Sequence, residues 1–107
     1  MSWLDTPGVP VAGSRDISPS ALQPAGYQQF RNISAVQALN PPVGASIALI
    51  QCEGVDFRWT DDGVTAPNPT VGMYLVAQTI LAYTGDLNKI KFIPVSGSGT
   101  LNISYYR

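Results

Sequence analysis

The stretch TLNISYY, residues 100–106, alternates apolar and polar side chains along its whole length. In an extended strand this alternation places Leu101, Ile103 and Tyr105 on one face and the residues between them on the other. The same period of two recurs in residues 56–60. A period of two predicts β-strands with one face buried in a core.

Five further segments outside these two have strand-like composition and are separated by turn residues. In chain order the candidate strands are residues 33–39, 46–52, 56–60, 73–76, 79–84, 90–95 and 100–106. Residues 34–39 would also suit a short helical turn. The close spacing and the absence of an amphipathic helical pattern predict an all-β fold. Its form would be an antiparallel, jelly-roll-like β-sandwich of about seven to eight short strands.

Local features predict how some of these strands connect. Residues 46–52 are apolar at nearly every position, as expected for a central strand with both faces covered. We expect Glu53-Gly54 to close a hairpin between that strand and residues 56–60. We also expect residues 73–76 and 79–84 to form the next strand pair.

The beginning of the chain has a different character, because prolines and glycines interrupt any helix or strand ladder. We therefore predict an extended, Pro-rich N-terminal arm at residues 1–31 and a β-sandwich domain at residues 32–107. The arm carries more apolar residues than a solvated linker needs, Trp3 and Leu4 among them. It either packs across its own sandwich or lies on a neighbouring subunit. In both cases we expect the sandwich to fold without residues 1–29.

Composition limits the classes of function. A chain of 107 residues fits one domain. Only 12% of its residues are charged, against about 25% in an average protein. Six basic and seven acidic residues give a net charge of −1, so no basic field exists to bind nucleic acid. Sparse charge favours self-association or burial against another protein chain, although a neutral-polar monomer surface has the same composition.

No catalytic, metal or cofactor motif is visible. The chain has no His, so Cys52 lacks a base that would activate it as a nucleophile, and we expect it to be buried and inert. Asp61-Asp62-Gly63 is typical of a turn and does not match a calcium-binding loop. We predict a protein that is not an enzyme and holds no cofactor. The first 20 residues lack the features of a signal peptide, and no apolar run is long enough for a membrane span.

Aromatic residues leave a binding role open. Strand tyrosines and Trp59 could form a platform for sugars, as in jelly-roll lectins. At a period of two, however, aromatics more often belong to the core or to cross-strand pairs. Trp3 and the outward Tyr106 remain as exposed candidates, and such residues equally serve as anchors in protein interfaces.

Several motifs resemble small structural proteins of tailed bacteriophages, among them short β-sandwich virion proteins such as the decoration or cement proteins of phage heads. The likeness covers roughly residues 45–107. It rests on FRWTDDG at 57–63, VGM at 71–73, YTGDL at 83–87, IKFI at 90–93 and LNISYY at 101–106.

The resemblance implies a mechanical function. A decoration or cement protein would bind the outside of the head shell and stabilise it by bridging subunits. It would bind the major capsid protein or another virion protein, form a dimer or trimer, and reside in the virion after assembly in the host cytoplasm. On this reading Trp3, Leu4, Tyr27 and Phe30 are anchors of the arm or hinge, and Tyr106 is an interface residue. The alternatives are a tail, baseplate or fibre accessory protein, and a carbohydrate-binding module.

Overall fold

The computed structural model describes residues 22–107, and every regular element in that range is a β-strand. The eight strands are β1 (Pro24–Ile33), β2 (Gln37–Ala38), β3 (Ile47–Glu53), β4 (Phe57–Thr60), β5 (Met73–Leu75), β6 (Ile80–Tyr83), β7 (Lys91–Pro94) and β8 (Gly99–Tyr106). The prediction of an all-β chain with short antiparallel strands is therefore confirmed.

The strands form two four-stranded sheets. Sheet 1 has the order β1-β8-β3-β6, and sheet 2 has the order β2-β7-β4-β5. All pairings are antiparallel. Consecutive strands change sheet at every connection except the one from β4 to β5. Most strand pairing therefore joins distant parts of the chain, with β1 beside β8 as the extreme case.

The hydrophobic core lies between the two sheets. Along β8, Leu101, Ile103 and Tyr105 are fully buried and the residues between them are half-buried, which confirms the alternation read from residues 100–106. Ile103 pairs directly with the buried Ile50 of β3. The remaining buried hydrophobic residues are Ile33, Leu39, Ala48, Cys52, Phe57, Leu75, Tyr83, Leu87, Ile90 and Phe92.

The predicted hairpin at Glu53-Gly54 and the predicted pairing of residues 73–76 with residues 79–84 are both wrong. The connection around Gly54 carries the chain from β3 in sheet 1 to β4 in sheet 2, and residues 76–79 carry it from β5 in sheet 2 to β6 in sheet 1. The physical reason is that Cys52 and Phe57, on either side of the first connection, are both fully buried. When the chain crosses from one sheet to the other, the apolar faces of both strands point into the core between the sheets. A short loop that contains glycine can form either a hairpin or such a crossing.

The first strand begins earlier than predicted. We assigned residues 1–31 to an arm and residues 33–39 to the first strand, whereas Pro24–Ile33 forms β1 and only Gln37–Ala38 forms β2. A bulge between Phe30 and Ile33, with Asn32 at φ 57°, shifts the alternation and hides this strand in the sequence. The rest of the predicted arm, residues 1–21, lies outside the described residues.

The three long connections meet at one end of the molecule, which we call the long-loop end. They are residues 39–46, 61–72 and 84–90. The main chain of Gln23 exchanges two hydrogen bonds with that of Arg107, at 3.1 and 2.9 Å, and the Arg107 guanidinium donates to the Val43 carbonyl. The described range therefore begins at this end of the sandwich.

Candidate interaction surfaces

The structure separates the predicted anchor residues. Trp3 and Leu4 lie outside residues 22–107. Tyr27 is 64% exposed on the outer face of sheet 1. Phe30 lies on the opposite side of β1, where it packs against the chain's own core. Tyr106 is half-buried on the same outer face as Tyr27, and its hydroxyl accepts a hydrogen bond from Ser104.

The outer face of sheet 1 is built from the outward positions of its four strands, and we call it the amide face. The register aligns Tyr27, Ser104 and Leu49 in one row and Gln29, Asn102 and Gln51 in the next. The face consists of Tyr27, Gln29, Ile47, Leu49, Gln51, Ile80, Ala82, Asn102, Ser104 and Tyr106. None of these ten side chains is charged, and two charged residues, Arg31 and Glu53, lie at one margin of the face.

Asn102 is the centre of a hydrogen-bond network across the amide face. Its Oδ1 accepts from Gln29 Nε2 at 2.7 Å and from the Tyr27 hydroxyl at 3.3 Å. Its Nδ2 donates to Glu53 Oε2 at 2.8 Å and to Gln51 Oε1 at 3.5 Å. These bonds link three adjacent strands, so the amides of the face are held in a defined arrangement rather than freely solvated.

Apolar groups flank this network. Ile80 on β6 is 63% exposed, and Leu49 and Ile47 on β3 are half-buried although they point away from the core. A shallow groove of about 190 Å³ runs between Tyr27, Leu49 and Ile80. The outer face of an antiparallel sheet is usually polar. We predicted that residues 46–52 have both faces covered, but sheet 2 covers only the side of Ala48, Ile50 and Cys52.

The outer side of sheet 2 carries charged groups, and two of them, Arg58 and Asp56, are bonded within the chain. The Arg58 guanidinium lies 4.9 Å from the centre of the Tyr74 ring and donates to the carbonyls of Pro69 and Gly72. Asp56 accepts from the Tyr74 hydroxyl at 2.5 Å and from the amide of Ala77 at 2.7 Å. The bond from Tyr74 is the main cause that lowers the pKa of Asp56. These groups rigidify the surface around β4 and β5.

The aromatic residues do not form one sugar platform. Trp59 packs edge-on against Tyr83 at 5.9 Å between ring centroids, and Tyr83 donates to Asp61 at 2.7 Å. Burial, together with that bond, raises the pKa of Tyr83 to about 12. Tyr105 is fully buried between the sheets, whereas Tyr106 faces outward from sheet 1. A groove of about 270 Å³ lies beside Trp59.

Two valines project from the long-loop end. Val43 is 95% exposed between Pro42 and Gly44, and Val64 is 90% exposed in the loop from β4 to β5. The second loop is held by Asp62, whose carboxylate accepts from the amides of Val64 and Thr65 at 2.9 and 2.7 Å. Hydrogen bonds from Thr65 and Val64 lower the pKa of Asp62 to about 2. The apolar tips are thus presented on ordered loops.

The surroundings of Asp62 and Cys52 indicate structural roles for both side chains. Within residues 22–107 no group of three or more His, Cys, Asp or Glu side chains is placed to hold a metal ion. Cys52 is fully buried in the core, and burial raises the pKa of its thiol. The part of the chain that the structure describes contains no helix long and apolar enough to cross a membrane.

Comparison of the chain with family models, with curated proteins and with solved structures gives no match.

The amide face was missed by reasoning from sequence, apart from Tyr27 and Tyr106. Its members Gln29, Gln51 and Asn102 come from three strands that are far apart in the chain. The signal that could have found it is the absence of charge at the outward positions of residues 46–52 and 100–106. Without the strand order, nothing in the sequence brings those two segments side by side.

Proposed function

We propose that this protein is a phage virion structural protein of jelly-roll type, a decoration or cement protein that binds the outside of the head shell and bridges its subunits. The strand pairing supports the jelly-roll assignment, because β1 pairs with β8, β2 with β7, β3 with β6 and β4 with β5. This is the nested pairing of an antiparallel ribbon rolled into two sheets, and jelly rolls occur in viral capsid and lectin domains.

The observation that carries the shell-binding role is the pair of exposed valines at the long-loop end. Val43 and Val64 are almost fully exposed, and Gln23, near the start of the described range, lies at the same end. Residues 1–21, with Trp3 and Leu4, precede that point in the sequence. Apolar tips on ordered loops lose little conformational entropy when they insert into a partner. Repeated at every symmetry-related position of a shell, a small gain per copy adds to a large total.

The partner we propose is the major capsid protein or another virion protein. A net charge of −1 offers no field for nucleic acid, which agrees with a site on the outer surface of the shell. The protein would associate as a dimer or trimer and would be part of the virion after assembly in the host cytoplasm. It acts by burying apolar surface at subunit junctions and needs no reacting group.

The test is binding of the purified full chain to undecorated phage heads, followed by sedimentation and quantification of bound protein. We expect saturation at a fixed ratio of copies to shell subunits. The variants Val43→Asp and Val64→Asp should bind at least about tenfold more weakly, because each would bury an unpaired carboxylate. Val36→Asp is the matched control, because Val36 is exposed and lies at the opposite end of the sandwich. Absence of saturable binding would refute the proposal.

Two rival functions have distinct outcomes. A tail, baseplate or fibre accessory protein would bind purified tails and not heads. A carbohydrate-binding module would bind on a glycan array and lose that binding in Trp59→Ala or Tyr106→Ala proteins that keep their fold. Either result would replace the proposed function.

A further inference from the structure

We infer that the amide face is the interface of a two-fold symmetric dimer of this chain. This specifies the self-association included in the proposed function, but it does not depend on attachment to a shell. The occupant of the face is a second copy, held by the same ten residues in each subunit.

The argument for a second copy begins with the charges at the margin of the face. Arg31 on β1 lies beside Gln29, with its Nε donating to Gln29 Oε1 at 2.8 Å. Glu53 at the end of β3 lies beside Asn102. The two charges are opposite in sign, occupy the same end of the sheet, and have β8 between them. Within one chain they are separated by two strand spacings, about 10 Å.

A two-fold axis that runs parallel to β8, just above the amide face, brings these charges together. Such an axis places β1 of one subunit over β3 of the other at the same height, because the register aligns Gln29, Asn102 and Gln51 in one row. Arg31 is bonded to Gln29 and Glu53 to Asn102, so both charges lie next to that row. Arg31 then meets Glu53 of the partner subunit, and the pair occurs twice. Two sheets packed in this way keep their strands within about 30° of each other, the usual arrangement of stacked sheets.

The uncharged centre of the face is self-complementary under the same axis. Tyr27 lies over Leu49 of the partner subunit, so an exposed aromatic ring covers an outward aliphatic side chain. Asn102 lies near the axis and meets its own copy. An amide carries both donors and acceptors, so it can bond an identical amide, which a charged residue could not do. A partner with a strongly basic or acidic surface would find no matching charge on this face.

The first test is sedimentation equilibrium of the full chain without shells, over a range of protein concentrations. We expect a monomer–dimer equilibrium for the wild type. Arg31→Glu and Glu53→Arg should each weaken dimerisation about tenfold or more, because like charges then face each other twice. The double variant Arg31→Glu/Glu53→Arg should restore the wild-type affinity. Lys89→Glu makes the same charge change as Arg31→Glu but lies outside sheet 1, so it should leave dimerisation unchanged.

Crosslinking gives a second measurement that charge effects do not influence. Ser104→Cys places a thiol on β8 beside the axis, where it should be joined to its own copy by a short bifunctional maleimide. Lys91→Cys on sheet 2 is the control and should give no crosslinked dimer. Cys52 is buried and should not react in either protein.

Several results would overturn the inference. These are a wild type that stays monomeric or forms a trimer, a double variant that does not recover, and a Lys91→Cys protein that crosslinks as well as Ser104→Cys. Glycan binding that is lost in Tyr27→Ala would instead assign the face to a sugar. All these measurements are made without shells, so they fail or succeed separately from the head-binding test.

Discussion

Removal of the first 29 residues should destabilise the fold strongly, whereas removal of the first 21 should not. We expected from the sequence that the sandwich would fold normally without residues 1–29. The structure instead shows that residues 24–29 supply most of β1. Residues 22–107 contain all eight strands that the structure describes, so we expect a chain beginning at Leu22 to keep the stability of the body.

The size of the effect follows from the ladder between β1 and β8. Five of the seven aligned pairs, those from Pro24 to Gln29, are lost in a chain that begins at Phe30. About five backbone hydrogen bonds at about 1 kcal/mol each amount to about 5 kcal/mol. The buried Tyr105 also loses Gln28, to which its hydroxyl donates at 2.5 Å. Domains of this size have a total stability of only about 5–15 kcal/mol.

Urea unfolding followed by tryptophan fluorescence measures this difference. Both truncated chains retain Trp59 as their single tryptophan, because the chain has two and Trp3 is removed in each. With a slope of about 2 kcal/mol per molar urea, the midpoint of the chain beginning at Phe30 should fall by about 2–3 M, or the protein should be unfolded in buffer. Equal midpoints for the two truncations would refute the reasoning, because β1 would then contribute nothing to stability.

Two further predictions concern single residues. The hydrogen bonds to Asp62 stabilise its loop in the carboxylate form, so this contribution should be complete above pH 4 and lost as the pH falls towards the folded-state pKa of about 2. Its side-chain carbon should titrate near that value by NMR. Gly99→Ala should lower the free energy of unfolding by about 1–3 kcal/mol, because the added Cβ would lie 2.7 Å from the Phe57 ring and 2.9 Å from the Glu53 carbonyl oxygen.

Each of these has a direct control. Asp62→Asn should remove the titration near pH 2 and leave the signals of the other carboxylates unchanged. A titration midpoint of Asp62 near pH 4 would contradict the assigned hydrogen bonds. Ser96→Ala, in the connection that leads to Gly99 but exposed, should leave urea unfolding unchanged. A Gly99→Ala protein of wild-type stability would mean that Phe57 moves aside without cost.

Prediction from sequence succeeded where local pattern and burial coincide. In β8 the apolar residues recur at every second position, and each of them is buried. In β7 and the residue before it, Ile90 and Phe92 are buried while Lys89 is exposed, as the alternation predicts. It failed at β1, where polar glutamines and a bulge at Asn32 interrupt the pattern. A strand can pack through one aromatic side chain and a few amides. The sequence of such a strand shows no clear alternation of apolar and polar residues.

Local alternation was enough to establish the all-β class and the inward side of each strong strand, and composition showed that few residues are charged. Which strands become neighbours was decided only in three dimensions, because a short loop around Gly54 fits a hairpin and a crossing between sheets equally well. Burial of both Cys52 and Phe57 selects the crossing. The same long-range pairing of β1, β8 and β3 assembles the amide face, in which Tyr27 bonds to Asn102, 75 positions away in the chain.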